Sequence, residues 1–152
     1  MANSQAMCTK FKVDVMNGLH AFGASVIRAA TTKDTFKAAL YLASATYDAS
    51  TTAYSATGEV SGTNYTAGGV AVTTATAPNS SGTTAFFTPS ASIVYTTVTL
   101  ATAFDAVLIY NDTAAGKNAV SVHTFGSQTI TAGTFTLTMP TNDSSTGLIR
   151  IA

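Results

Sequence analysis

The sequence predicts a mainly β protein, an antiparallel β-sandwich of jelly-roll-like kind preceded by a short N-terminal helix. Three observations carry this prediction. Short apolar runs alternate with a period of two and are interrupted roughly every ten residues by Gly, Pro, Asn and Asp clusters. Threonine and valine dominate those runs, and branching at Cβ suits a pleated surface while lowering helix propensity. Only 9% of the residues are charged, against a usual quarter, so polarity comes from hydroxyl groups. Such a surface packs against other protein without desolvating many ions. A chain of 152 residues fits one globular unit, which buries about 70% of the surface of its extended form.

The chain divides into an N-terminal arm with an amphipathic helix, residues 1–33, and a sandwich body, residues 34–152. In the arm, Cys8, Phe11, Val15, Leu19 and Phe22 recur every three or four residues, which places them on one helical stripe. Ser4 or Thr9 is the expected N-cap and Gly23 the C-terminal stop, while Gly18 weakens the helix by about 1 kcal/mol. A helix this short needs a surface to lie on, either its own body or a partner.

From Thr35 the period becomes two. Phe36, Ala38, Leu40 and Leu42 point one way and Lys37, Ala39 and Tyr41 the other, the pattern of a strand with one buried face. Further strands are predicted at 59–61, 69–74, 83–88, 93–100, 106–110, 119–125, 134–139 and 148–151. Turn clusters separate them: Gly68-Gly69, Pro78 to Gly82, Asn111-Asp112, Ala132-Gly133 and Asn142 to Ser145. The stretch 43–57 has no clean period and reads as a long surface excursion. Its Tyr47 and Tyr54, with Phe86 and Phe87 further on, are candidate aromatic contacts for a partner.

Charge is unevenly placed. Through residue 37, Lys10, Lys12, Arg28, Lys33 and Lys37 outweigh Asp14 and Asp34 by three. After it, Asp48, Glu59, Asp105, Asp112 and Asp143 outweigh Lys117 and Arg150 by three, so the whole is neutral. The basic arm has no Arg cluster and no Lys-aromatic interleaving, so no nucleic-acid partner is expected. No apolar run is long enough for a membrane span and the start has no secretory leader, which predicts synthesis in a cytosol and no membrane partner. Four Asn-x-Ser/Thr sequons, at Asn64, Asn79, Asn111 and Asn142, then read as turn asparagines.

Groups for chemistry are sparse. Cys8 is the only cysteine, without a neighbouring base or second thiol, and is expected to be a buried structural thiol. His20 and His123 are isolated, although Ser121 and His123 share a strand face. The acids are dispersed, and Gly68-Gly69 is not followed by the Lys-Ser or Lys-Thr of a phosphate loop. No catalytic residue, metal site or cofactor is therefore expected.

Several strings nevertheless belong together: DTFKAALY at 34–41, EVSGTNYTAGG at 59–69, FDAVLIYND at 104–112, GTFTLTMP at 133–140 and the terminal GLIRIA. In this combination the chain resembles a widespread group of tailed-bacteriophage virion proteins, and within it the small β-rich cement, or decoration, proteins on the heads of short-tailed phages. Asn64 stands where that pattern has glycine, and asparagine is the next best residue for left-handed backbone. The resemblance implies a non-enzymatic structural role: production in the host bacterial cytoplasm, a place on the virion surface, and binding to the major capsid protein lattice to stabilise the head. A fibre, neck or receptor-binding component is the alternative. The stripe and the cations around it make Lys10, Phe11, Lys12, Val15, Leu19, Phe22 and Arg28 the candidate capsid contacts. Uncharged strand faces and edges also predict self-association, most simply as a homodimer.

Overall fold

The structure is a computed structural model that describes residues 3–8, 10, 11, 15, 19, 20, 22, 33–75 and 77–152. Among the described residues eight strands follow one another: β1 (Ala6–Met7), β2 (Phe36–Leu42), β3 (Val70–Val72), β4 (Asn79–Ser81), β5 (Thr84–Phe87), β6 (Ile93–Asn111), β7 (Ala119–Leu137) and β8 (Ile149–Ile151). They form two antiparallel sheets, one in the order β1-β7-β6-β2-β3 and one in the order β4-β5-β8. The predicted β-sandwich class holds. No helix is delimited among the described residues. Lys10, Phe11 and Val15 have helical backbone, and most of the predicted helix lies outside the described residues.

The dominant element is the β6–β7 hairpin, 19 residues in each strand. The sequence predicts four short strands here and a turn at Ala132-Gly133. Instead each pair fuses, because the register shifts five times along the ladder rather than breaking. The first four shifts place extra residues alternately on β6 and β7, the fifth places one on β7 again, and each inserts a kink. Two of these kinks use left-handed backbone, at Thr97 (φ 53°) and Ala132 (φ 46°). For a β-branched threonine that conformation is strained. Side chains and backbone of the preceding segment hold it: Asn64 Nδ2 donates to the Thr97 carbonyl at 2.9 Å and Thr99 N–H donates to the Thr63 carbonyl at 3.1 Å. The bent ribbon folds over its own inner face. Phe125 and Phe135 would lie about 33 Å apart on a straight strand, yet their rings are 5.1 Å apart and both pack on Phe104.

β2 differs from its predicted single buried face. Ala38 to Tyr41 are all buried, because the excursion after β2 covers the second face. Five tyrosines hold that cover in place, and a sixth, Tyr95, ties β6 to β2 beneath it. The Tyr41 hydroxyl donates to the Ser55 carbonyl at 2.7 Å and that of Tyr47 to the Thr57 carbonyl at 2.8 Å. From the sheet, Tyr95 reaches the Ala38 carbonyl at 2.7 Å and Tyr110 the Gly68 carbonyl at 2.8 Å. Tyr54 and Tyr65 both donate to the Glu59 carboxylate at 2.7 Å, and Gly68 N–H adds a third bond of 2.7 Å. Burial pushes the phenols up, Tyr54 to about 12 and Tyr41 and Tyr65 further, so they remain donors at neutral pH. The predicted strand at 59–61 is therefore a bridged loop, touching β2 through the Tyr41–Glu59 bridge and the Val60 N–H bond to Leu40.

Glycine is required where this cover approaches the sheet. Gly68 and Gly69 have φ of 89° and 75°, as the turn prediction expects, and a Cβ on Gly69 would sit 1.7 Å from the Ala38 carbonyl oxygen. Asn64 is left-handed too, at φ 59°. The predicted turn at Pro78 to Gly82 contains β4, whose hairpin with β5 turns at Gly82 (φ 58°). The three-stranded sheet closes the opposite side of the core. Phe87 and Ile149 there, with Phe36, Val72, Ile109 and Val120 of the large sheet, line one residual void of about 10 Å³.

Candidate functional site

Part of each of the two groups of residues singled out in the sequence meets at one place. Phe11, Val15 and Phe22 of the N-terminal segment form one wall of an apolar cleft of about 220 Å³. Phe86 and Phe87 of β5, with Ile149 and Ile151 of β8, form the other. Each wall follows from its local pattern. On β5 the exposed Ala85 faces the cleft mouth while Phe86 and Phe87 are buried, and on β8 Ile149 is buried while Ile151 stays 44% exposed at the rim. The N-terminal wall is held by aromatic packing. Phe22 stacks on Phe36 with ring centroids 4.8 Å apart and planes 7° apart, tilts against Phe87 at 4.8 Å, and meets Phe11 edge-on at 5.9 Å.

A polar clasp fixes the same segment. The Asn111 side-chain amide donates to Asp34 Oδ2 at 2.8 Å and lies 3.2 Å from His20 Nδ1, while Asn111 Oδ1 accepts the N–H groups of Thr113 and Ala114. Asn111 and Asp34 are buried. With Asn111 as donor, His20 Nδ1 accepts, and the ring stands 5.0 Å from Phe11 on the cleft wall.

The candidate contacts differ in how far they are exposed. Phe11 is fully buried, Val15 and Phe22 are half-buried, and Leu19 is 37% exposed. Phe11, Val15 and Phe22 thus pack on the chain's own sandwich, where Phe36 and Phe87 offer Phe22 an aromatic surface, while Leu19 stays exposed. Tyr47, Phe86 and Phe87 are buried and Tyr54 is half-buried. Both tyrosines are engaged by the excursion's hydrogen bonds, and only the cleft-facing edges of the two phenylalanines are open to a partner. Lys10 is half-buried, and Lys12 and Arg28 lie outside the described residues. Sequence reasoning missed Ile149 and Ile151. The terminal GLIRIA carries their alternation, but nothing local indicates that it faces residues more than a hundred positions away.

The groups with possible chemistry are enclosed. Ser121 Oγ and His123 Nε2 are 2.8 Å apart, but Ser121 is 1% exposed and no substrate atom reaches its oxygen in this conformation. Burial pushes His123 down to about 4, so it is neutral at pH 7. Cys8 is fully buried and its thiol is pushed up to about 11, first by burial and then by the charge of Asp48. Among the described residues no three His, Cys, Asp or Glu side chains converge in a metal-binding group. No helix among them is long and apolar enough to cross a membrane. Comparison of the chain with protein-family models, with curated proteins and with solved structures finds no match.

Proposed function

We propose that this chain is a non-enzymatic structural protein of a phage virion, a cement or decoration protein that binds the major capsid protein lattice and stabilises the head. In this reading it is made in the host cytoplasm and carried on the capsid surface. The observation that supports it best is the apolar cleft between the N-terminal segment and β5–β8, which is large enough for one or two side chains of a lattice loop. Burying an aliphatic or aromatic side chain contributes about 1.5–3 kcal/mol before ordering costs, whereas a rim ion pair adds about 1 kcal/mol or less. Affinity therefore comes from the cleft, and the basic arm orients the approach. Because the protein binds only the assembled shell, each site it occupies lowers the free energy of the shell by RT ln(1 + [L]/Kd), where [L] is the concentration of free protein, and many sites multiply the effect.

The test uses Ala85→Arg, which plugs the cleft mouth, and Ile151→Asp, which charges its rim. Both side chains are exposed, so the fold should survive. Particles lacking the protein, incubated with each variant and imaged, should show reduced occupancy relative to the parent chain. Undiminished decoration by both variants would remove the cleft from the interface. Density for the parent chain on tail or neck instead of head would replace the cement reading with the fibre or neck one.

A further inference from the structure

The β6–β7 hairpin carries an unusual edge. β1 pairs with β7 only at Ser121 and Val122, and among the described residues no strand pairs with that edge beyond Val122. Over Gly133–Leu137 the edge is also straight. The register shift opposite it places the extra residue on β6, between Tyr95 and Val98, while β7 runs on without interruption. Thr134, Thr136 and Thr138 are exposed and alternate with the half-buried Phe135, Leu137 and Met139, so the run is anchored on its inner face.

Open edges normally carry a lysine, an inward charge, a proline or a bulge that blocks pairing with another chain. This one carries none of them within the run: its bulge at Ala132 precedes it and Pro140 follows it. No charged side chain occurs between Val60 and Phe104 or between Asn118 and Asn142, so the strand beside it offers no gatekeeper either. Val94, which pairs with Thr136, is 40% exposed. A charged partner surface would lose hydration here with no counter-charge to meet. An identical copy, itself uncharged over the same run and neutral overall, loses nothing of the kind.

We infer that the outer edge of β7 over Gly133–Leu137 pairs antiparallel with the same edge of a second copy, joining two large sheets across a two-fold axis. Antiparallel pairing of one segment with itself is isologous and closes after two chains. Threonine rows meet across the axis, where β-branched hydroxyl pairs are favourable. A five-residue edge is smaller than a stable interface, so dissociation falls in the micromolar range. The inference concerns the free protein and stands or falls apart from the head-cement reading.

Sedimentation velocity of the full chain across micromolar concentrations tests it, with two charged pairs of substitutions. Thr134→Lys/Thr136→Lys and Thr134→Glu/Thr136→Glu should each weaken the dimer at least about tenfold, because like charges face each other across the axis. An equimolar mixture of the two should dimerise again, which misfolded chains would not do. A parent chain that stays monomeric throughout the range, variants that dimerise like the parent, or a mixture that fails to recover would each overturn the inference.

Discussion

Replacing Glu59 by alanine should be the most damaging single change in the cover over β2. Its carboxylate accepts bonds from Tyr54, Tyr65 and Gly68 N–H, each 2.7 Å long. Hydrogen bonds to a charged group contribute about 1.5–3 kcal/mol each. Glu59 and Tyr54 are half-buried, so water replaces part of that loss, and about 3–5 kcal/mol is expected in total. Tyr65 matters most, because its hydroxyl also accepts the Leu40 N–H at 3.0 Å and so links Glu59 to the centre of β2. For a chain of this size each kcal/mol moves Tm by about 2–4 °C, which puts Glu59→Ala roughly 6–20 °C below the parent. Glu59→Gln keeps one oxygen for Tyr65 and Gly68 and mismatches only Tyr54, so it should cost about 1–2 kcal/mol. Urea unfolding should show the same order in midpoint with little change in slope. A Glu59→Ala chain melting within about 2 °C of the parent, or a glutamine variant as weak as the alanine one, would refute the assignment of the network as the clamp.

Three further outcomes follow from other sites. Gly69→Ala should cost about 2–5 kcal/mol, combining left-handed strain with a Cβ 1.7 Å from a carbonyl oxygen, whereas Gly82→Ala, left-handed but open, should cost about 1 kcal/mol; equal melting of the two would contradict the close approach. Burial lowers His123 from 6.5 to about 4, so between those pH values the unfolded chain binds a proton that the folded chain does not. Stability is then lost as pH falls through that window, by roughly 2–3 kcal/mol, and His123→Gln should flatten the loss in urea titrations at pH 7 and pH 4.5. Cys8, buried with its thiol pushed up to about 11, should react with a thiol reagent at pH 8 only after denaturant is added; rapid reaction of the native chain would show that the segment opens.

What could be read from the sequence was what neighbours along the chain decide. Alternation placed β2, β3, β5 and β8, and the steric demand for positive φ picked out Gly68, Gly69 and Asn64. Hydroxyl-rich composition and apolar alternation were enough for the sandwich class. The long hairpin was not legible, since Thr97 and Ala132 adopt left-handed backbone only because Asn64, Thr63 and the inner phenylalanines hold the bend. Tyr41 looked like the solvent side of β2, because its cover lies in a stretch without periodicity. The cleft needed three segments to meet, and Phe22 announced a need for burial without naming Phe36 and Phe87 as the surface that meets it.

The β6–β7 hairpin also predicts an order of folding. Its strands are joined by residues 112–118, so pairing can begin beside the tip and zip outward, each step closing a short loop. β1, by contrast, reaches Ser121 and Val122 across more than a hundred residues. Loop closure scales with the logarithm of length, so made first, before the intervening strands are in place, that contact would cost about 2–3 kcal/mol more in chain entropy than closing the hairpin. The hairpin is therefore expected to form in the folding transition state, with the N-terminal segment arriving afterwards to complete the cleft. Truncations at Val107 or Val122 should therefore slow refolding, while truncation of Phe11 should mainly speed unfolding; the reverse pattern in stopped-flow kinetics would place the N-terminal segment in the nucleus.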